Sequence, residues 1–367
     1  MLALVLLGFS LLYALVILTL AIGAWRARSV PSAPCRPSVS IVIAARNEEE
    51  NIGACLESIV ALTYPSDLLE VIIVDDRSTD ATARIVQQYV SRHPHINMIR
   101  SAPPSGRLHG KANAIAQGVD QATGEILMLT DADCVLPRGW VEETVKYFDN
   151  EKIGLVAGFT YLKGSDPFAC FQALDWLALF STAAAAVRLG TPATAVGTNL
   201  SVRKAAYDAI GGYREIPFSV TEDYALFHAV ASSGRYAVRF PMDPGTINES
   251  LPCTSWRQLY RQKKRWFAGG KGMLLRHQLV FLAAYAVNAL LILVPILSWS
   301  PLWLTALALK LGVDLVFTFP SLGTFGKWHL LRCWPLYELY YFLYILVYPP
   351  IVLLGSTVVW KDRSFGH

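Results

Sequence analysis

The chain has 367 residues, 53% of them hydrophobic and 16% charged, with a mean hydropathy of +0.37, a balance that excludes a purely water-soluble protein. Its net charge of +4 comes with no basic tail or nucleic-acid motif, which argues against a nucleic-acid partner. The six cysteines, Cys35, Cys55, Cys134, Cys170, Cys253 and Cys333, form no C-x-x-C pair, so zinc and redox centres lack support and reduced thiols are expected.

From Leu2 to Trp25 no charge interrupts an aliphatic run long enough to cross a bilayer core of about 30 Å. Arg26 and Arg28 follow the run, so it reads as an uncleaved anchor with its N-terminus outside and its C-terminal end in the cytoplasm, not as a signal peptide.

The chain then alternates. Ser38–Ala45 reads as a strand, Glu49–Ala61 as a helix and Val71–Val74 as a strand ending in Asp75 and Asp76. A helix near Ala81–Ser91, a strand at Ile96–Ile99, a helix over Lys111–Ala122 and a strand at Glu125–Thr130 continue the beat. Such alternation predicts a doubly wound α/β sheet with ligands beyond the carboxyl ends of its strands. Ala45, Arg46, Asn47 and Glu48, then Asp75 to Asp80, then Asp131 and Asp133 all fall at such ends. Asn47 and Asp80 also suit helix N-caps. Capping does not account for Asp131 and Asp133 together, because two carboxylates one residue apart repel unless a cation lies between them; magnesium or manganese completed by phosphate oxygens is the natural candidate.

Pro167–Leu189 is apolar yet carries Asp175 and Arg188, which suits a helix lying in the membrane interface. Between Trp256 and Lys271, Arg257, Arg261, Lys263, Lys264 and Arg265 interleave with Trp256, Leu259, Tyr260, Trp266 and Phe267. That is the pattern of a basic amphipathic helix at a membrane surface, where Lys263, Lys264 and Lys271 need only snorkel.

Leu279–Ser298, Pro301–Pro320 and Trp334–Ser356 read as three further spans. Lys327 and Arg332, and the basic stretch from Arg257 to Arg276, are assigned inside, which leaves both termini outside; Lys361 and Arg363 in the tail count against the last crossing. Lys310 and Asp314, spaced i,i+4, and Glu338 fall within these spans, either as a salt bridge pinning helices or as a path for a substrate.

Taken in order, S-I-V-I-A-A-R-N-E, V-D-D-R-S-T-D, H-G-K-A-N-A, D-A-D, T-E-D at Thr221–Asp223 and Q-K-K-R-W at Gln262–Trp266 resemble the family-2 glycosyltransferases, in particular their membrane-integrated branch. The match runs from about Ser38 to Trp266, and one departure stands out: the usual D-D-G-S reads Asp75-Asp76-Arg77-Ser78. The resemblance implies a GT-A fold, a Rossmann-like doubly wound mixed sheet with N-terminal and C-terminal transmembrane helices. It divides the chain into an anchor at 1–25, a cytoplasmic catalytic domain at 36–250, an interfacial segment at 251–277 and three spans at 278–358.

The resemblance also implies roles. Ala45 and Glu48 line a nucleotide pocket, Asp76 receives the base ring, Lys111 sits near the phosphates and Asp131 approaches the ribose. Gly110 opens a helix there, so its amides and the Lys111 ammonium both favour phosphate, although a solvated lysine is an equal reading of Lys111 alone. Asp133 is the metal ligand. Asp223 is the base, with Glu222 as its rival, and Gln262, Arg265 and Trp266 close over the diphosphate and acceptor. Gly197–Ser201 and Gly211-Gly212 resemble the acceptor side.

The implied activity is inverting, metal-dependent transfer of a sugar from a nucleoside diphosphate sugar, a UDP-sugar first, to a lipid acceptor hydroxyl at the cytoplasmic face of a bacterial inner membrane. A processive polysaccharide synthase of the same family, and a transporter or scaffold sensing a nucleotide sugar, are the alternatives.

Overall fold

A computed structural model describes the chain except for residues 105, 107, 270–274, 355–356, 361–362 and 367. Lys271 and Lys361 therefore lie outside the described residues. Helix α1 (Leu2–Ala27) opens the chain, followed by β1 (Val39–Ala45), α2 (Ile52–Val60), β2 (Leu69–Asp75), α3 (Thr82–Val90), β3 (Ile96–Arg100), α4 (Gly110–Gln121) and β4 (Ile126–Leu129). This is the expected alternation. The order continues α5 (Trp140–Val145), β5 (Ile153–Ala157), β6 (Thr160–Leu162), α6 (Pro167–Arg188), a 3-10 turn at Gly197–Asn199, β7 (Leu200–Arg203), α7 (Lys204–Ala209), α8 (Gly212–Glu215), α9 (Glu222–Ser232), β8 (Ala237–Arg239) and β9 (Asn248–Ser250). Helices α10 (Trp256–Gly269), α11 (Leu275–Leu297) and α12 (Leu302–Phe325), a 3-10 segment at Trp328–Cys333, α13 (Trp334–Leu354) and the hairpin β10 (Thr357–Trp360) and β11 (Arg363–Gly366) complete it.

These elements form two compact units. One joins Arg28–Lys163 to Thr194–Leu251; the other joins Met1–Ala27, Gly164–Ala193 and Pro252–His367. The block 36–250 is thus interrupted: 164–193 groups with the chain ends, because α6 buries its apolar surface on other long helices.

The first unit is built on a seven-stranded mixed sheet in the order β3-β2-β1-β4-β7-β5-β8. Strands β1 to β4 run parallel, whereas β7 is antiparallel to both β4 and β5. Their alternation with helices forces parallel pairing, since each crossover returns the chain to the same end of the sheet. Ile41, Ile43, Val71, Ile73, Ile126 and Met128 are buried with Ile52, Leu56 and Ile59 of α2. Each such side chain contributes about 1.5–3 kcal/mol by leaving water. The consequence for function is positional: the ends of β1, β2 and β4 open onto one edge.

The second unit is helical. Four described helices are long and apolar enough to cross a membrane: α1, α6, Val280–Leu297 of α11, and α12. Leu6, Ala14, Val287, Leu291, Val294, Ala306 and Val313 form a shared core among α1, α11 and α12. Helix α6, expected to lie in the interface, qualifies as a span by length and composition and is mostly buried against α1, α12 and α13. Asp166 caps it by accepting the Phe168 and Ala169 amides, with Pro167 in the first turn. Gly23 permits the close approach of α1, because a Cβ there would stand 2.9 Å from that of Ala185.

Three expectations change in this unit. Cys170 and Cys333 form a disulfide, so they are not reduced thiols; α6 and the 3-10 segment bring their Cα atoms to 6.1 Å across 163 residues of sequence. Among the described residues, Cys35, Cys55, Cys134 and Cys253 take part in no disulfide. Lys263 does not snorkel: it is buried and ion-paired with Asp175 of α6, and its ammonium lies 4.4 Å from the Trp266 ring centroid and 5.3 Å from that of Tyr344. Finally, β10 packs against α10, so a basic α10 inside and a C-terminal tail outside are incompatible. Contacting segments cannot face opposite sides of a hydrocarbon core about 30 Å thick.

The ionisable residues of the spans bind one another. Lys310 pairs with Asp314 at 2.9 Å and with Glu338, and the Tyr13 hydroxyl donates to Asp314 at 2.7 Å, which ties α1, α12 and α13 together.

Candidate active site

At the shared strand edge, the loops after β1 and β2 are stitched into one surface. The Asp76 amide donates to the Ala45 carbonyl at 2.8 Å, and Arg46 donates to the Asp76 carbonyl at 2.9 Å. The Thr79 amide donates to the Asn47 side chain at 2.9 Å, and the Glu48 amide to the Thr82 hydroxyl at 2.8 Å. Asn47 therefore braces the neighbouring loop and caps no helix, whereas Asp80 accepts the Thr82 amide in the first turn of α3. Ala45 and Asp76 are buried, with Ser101 donating to Asp76 at 2.8 Å. Arg77 keeps a glycine-like backbone at φ +57°, so the departure from D-D-G-S retains the left-handed turn.

A second group gathers around Lys111 at the start of α4. Its ammonium lies 2.5 Å from Asp131, just beyond β4, and 3.0 Å from Glu222, which opens α9. Burial opposes the charge on Lys111, but Asp131 and then Glu222 outweigh it and hold the ammonium above the usual lysine range. Asp223 is adjacent: its Oδ2 accepts the Gly197 amide at 2.6 Å and its Oδ1 the Tyr224 amide at 2.8 Å. Burial first, and Glu222 second, push the Asp223 carboxyl up to about 6, against the lowering effects of Lys111 and the two amides. The packing at 197 is close, since a Cβ there would lie 3.2 Å from that of Asp223.

The turn that holds Asp223 rests on a buried polar network. Thr130 donates to the Thr198 carbonyl at 2.9 Å, and Thr160 and Thr198 share a hydrogen bond of 2.7 Å. The Asn248 side chain donates to the same Thr198 carbonyl at 2.5 Å, and Asn199 donates to the carbonyls of Phe159 and Thr246 at 2.8 and 2.7 Å. Satisfied buried networks of this kind fix one geometry.

Lys111, Asp131, Glu222 and Asp223 are thus brought together, and Ala45, Glu48 and Asp76 lie in the stitched loops of the same unit. Gln262, Arg265 and Trp266 belong to the helical unit, where Trp266 packs against Trp176 at 5.5 Å between ring centroids. For a metal, the described residues offer no group of three or more His, Cys, Asp or Glu. The carboxylates beyond β4 are hard oxygen donors, and one of them, Asp131, already has Lys111 as its counter-ion. Asp133, on the same turn, is likewise a hard oxygen donor of the kind that suits magnesium or manganese.

Two groups at the edge escape sequence reasoning. The Tyr213 hydroxyl is buried without a hydrogen-bond partner among the described residues, and burial, followed by Glu222, keeps it protonated well above the ordinary phenol range. Its only sequence signal is its place after Gly211-Gly212, where a side chain at 212 would collide with the Tyr207 ring at 2.4 Å. The other is Arg77, whose Nε is buried without a hydrogen-bond partner among the described residues.

The model of the group 2 glycosyl transferase family matches residues 126–356, and that of glycosyl transferase family 2 matches 40–211. The chain belongs to the family-2 glycosyltransferases. A probable glycosyltransferase of Bacillus subtilis, YdaM, is 30% identical over 65% of this chain and 57% of its own length. The beta-monoglucosyldiacylglycerol synthase of Synechocystis is 29% identical over 64% of this chain and 48% of its own, and the poly-beta-1,6-N-acetyl-D-glucosamine synthase of Staphylococcus epidermidis 28% over 65% and 56%. The chain spans about half the length of these curated relatives. Among solved structures, the mannosyltransferase PcManGT of Pyrobaculum calidifontis superposes with a TM-score of 0.58 at 20% identity, covering 91% of this glycosyltransferase and 99% of that chain, which shows the shared GT-A fold.

Proposed function

We propose that this family-2 glycosyltransferase moves one sugar, with inversion, from a nucleoside diphosphate sugar to a hydroxyl of a membrane lipid at the cytoplasmic face of a bacterial inner membrane. The observation that carries the reading is Asp223: a carboxyl at about 6, held by the Gly197 amide and adjacent to Glu222, which pairs with Lys111. A base in that range is ionised at neutral pH yet basic enough to take a proton. Glu222 is the weaker candidate because its Oε1 is committed to Lys111.

In this account the acceptor oxygen attacks the anomeric carbon while its proton passes to Asp223, and the bond to the diphosphate oxygen breaks on the opposite face. One displacement inverts the centre. The stitched loops, with Ala45 and Glu48, hold the nucleotide; Asp76 meets its base ring and Asp131 its ribose. Lys111, at the N-terminus of α4, faces the phosphates. A divalent cation on Asp133, magnesium or manganese, would neutralise charge on the departing diphosphate. PcManGT was solved with GDP-Man and Mn2+, which supports this class of donor and ion. Gln262, Arg265 and Trp266 are assigned to diphosphate and acceptor on motif resemblance alone.

A lipid acceptor is favoured by the apolar helices and by the beta-monoglucosyldiacylglycerol synthases among the relatives. Lys310, Asp314 and Glu338 bind one another, which weakens the transporter reading. The poly-N-acetylglucosamine synthases support a polymerising alternative. Incubating the purified protein with a panel of UDP- and GDP-sugars and a lipid extract, then weighing the products, separates them: a lipid heavier by one sugar is expected, and long polymer or no transfer contradicts the proposal.

A further inference from the structure

Among the described residues, only Asn47 (φ +51°) and Arg77 (φ +57°) hold a left-handed backbone without being glycine. Asn47 is compensated, since asparagine tolerates this region and its side chain accepts the Thr79 amide at 2.9 Å. Arg77 has no such compensation. Its Cβ bears the steric penalty in full, and its Nε is buried with no hydrogen-bond partner in the described chain. Glycine at this position would remove both costs, so the arginine is locally unfavourable.

The surroundings of Arg77 are fixed. The preceding Asp76 is buried with its carbonyl bound by Arg46 at 2.9 Å, and the following Ser78 amide donates to the Asp75 carboxylate at 3.0 Å. The strain therefore cannot relax by a shift of the loop at small cost. A strained residue with an orphaned donor, at the ligand-bearing edge of an α/β sheet, has the character of a group whose partner is the ligand.

We propose that Arg77 binds the nucleoside end of the donor, its Nε–H donating to an oxygen of the base or ribose, and so contributes to nucleotide choice. This rests on the proposed assignment of Asp76 to the base ring and adds a recognition residue beside it. A guanidinium suits the task because it is planar, always charged, presents its donors as a fork and stacks on aromatic rings. The nucleoside is favoured over the diphosphate because Arg77 directly follows Asp76, whereas the phosphate-facing cation in this reading is Lys111.

The test is calorimetric binding of UMP and UDP, and of GMP and GDP, to the full-length wild type, Arg77→Gly and Arg77→Lys in detergent. For the series that the wild type prefers, Arg77→Gly should bind mono- and diphosphate about tenfold more weakly by the same factor, with Arg77→Lys between. The melting temperature of Arg77→Gly should equal or exceed that of wild type, which separates lost contact from lost fold. Unchanged affinity overturns the proposal, as does a loss confined to the diphosphate. A wild type that binds neither series overturns the donor reading itself, a result distinguishable from both.

Discussion

The Gly197 amide donates to Asp223 Oδ2 at 2.6 Å, so the proposed base is held by a backbone turn and keeps its freedom to accept a proton. Because only the ionised carboxylate can act as base, kcat/KM should be flat above neutrality and fall about tenfold per pH unit below the Asp223 value of about 6. A rate profile against pH checks this, and a flat profile down to pH 4 contradicts it.

Lys111 lowers the Asp223 value while neutralising Asp131 and Glu222. Lys111→Met leaves these carboxylates facing each other, so the acid limb of the profile should move to higher pH and transfer at pH 7 should drop on the order of tenfold. The diagnostic is the displaced limb, since a lysine serving only to hold phosphate would raise KM and leave the limb in place.

Asp133→Ala should reduce transfer by roughly 10²–10³-fold, the scale on which one electrostatic stabiliser of a leaving group acts. Titrating manganese or magnesium into chelator-treated protein should restore the wild type and not the variant. Full activity of chelated wild type would remove the metal from the account.

Lys263 and Asp175 are buried together, so losing one partner strands a charge at a cost of about 3–5 kcal/mol. Thermal denaturation in detergent should show a large destabilisation in Lys263→Met and recovery in Lys263→Met/Asp175→Leu. Equal stability of the single variant and wild type would show that the pair contributes nothing.

Strands β1 to β4 and their helices were legible because apolar runs of strand length alternate with helical periodicity, and acidic residues such as Asp75 and Asp131 punctuate the strand ends. The antiparallel β7 was implied only by resemblance, since Leu200–Arg203 is too short to carry its own signal. The Cys170–Cys333 bridge and the Lys263–Asp175 pair were illegible because their partners are 163 and 88 residues apart. Lys263 sits among solvated-looking basic residues, and nothing local separates it from Lys264. The Lys111–Asp131–Glu222 cluster follows the same logic: each residue was named by motif, but that Lys111 acts as counter-ion to Asp131 depends on how α4, β4 and α9 converge. The segment expected as a span at Trp334–Ser356 contains the helix α13, which is not among the four described helices long and apolar enough to cross, and hydropathy carries no information that the following hairpin returns to α10.

The central claim is that Asp223 takes the acceptor proton, and Asp223→Asn tests it most directly. The amide is nearly isosteric but has no basicity near neutral pH. Transfer and nucleotide binding should be measured on the same detergent-purified sample. The expected result is UDP or GDP affinity within about threefold of wild type, with transfer lowered by at least roughly 10²-fold. Transfer at the wild-type rate by Asp223→Asn would contradict the account.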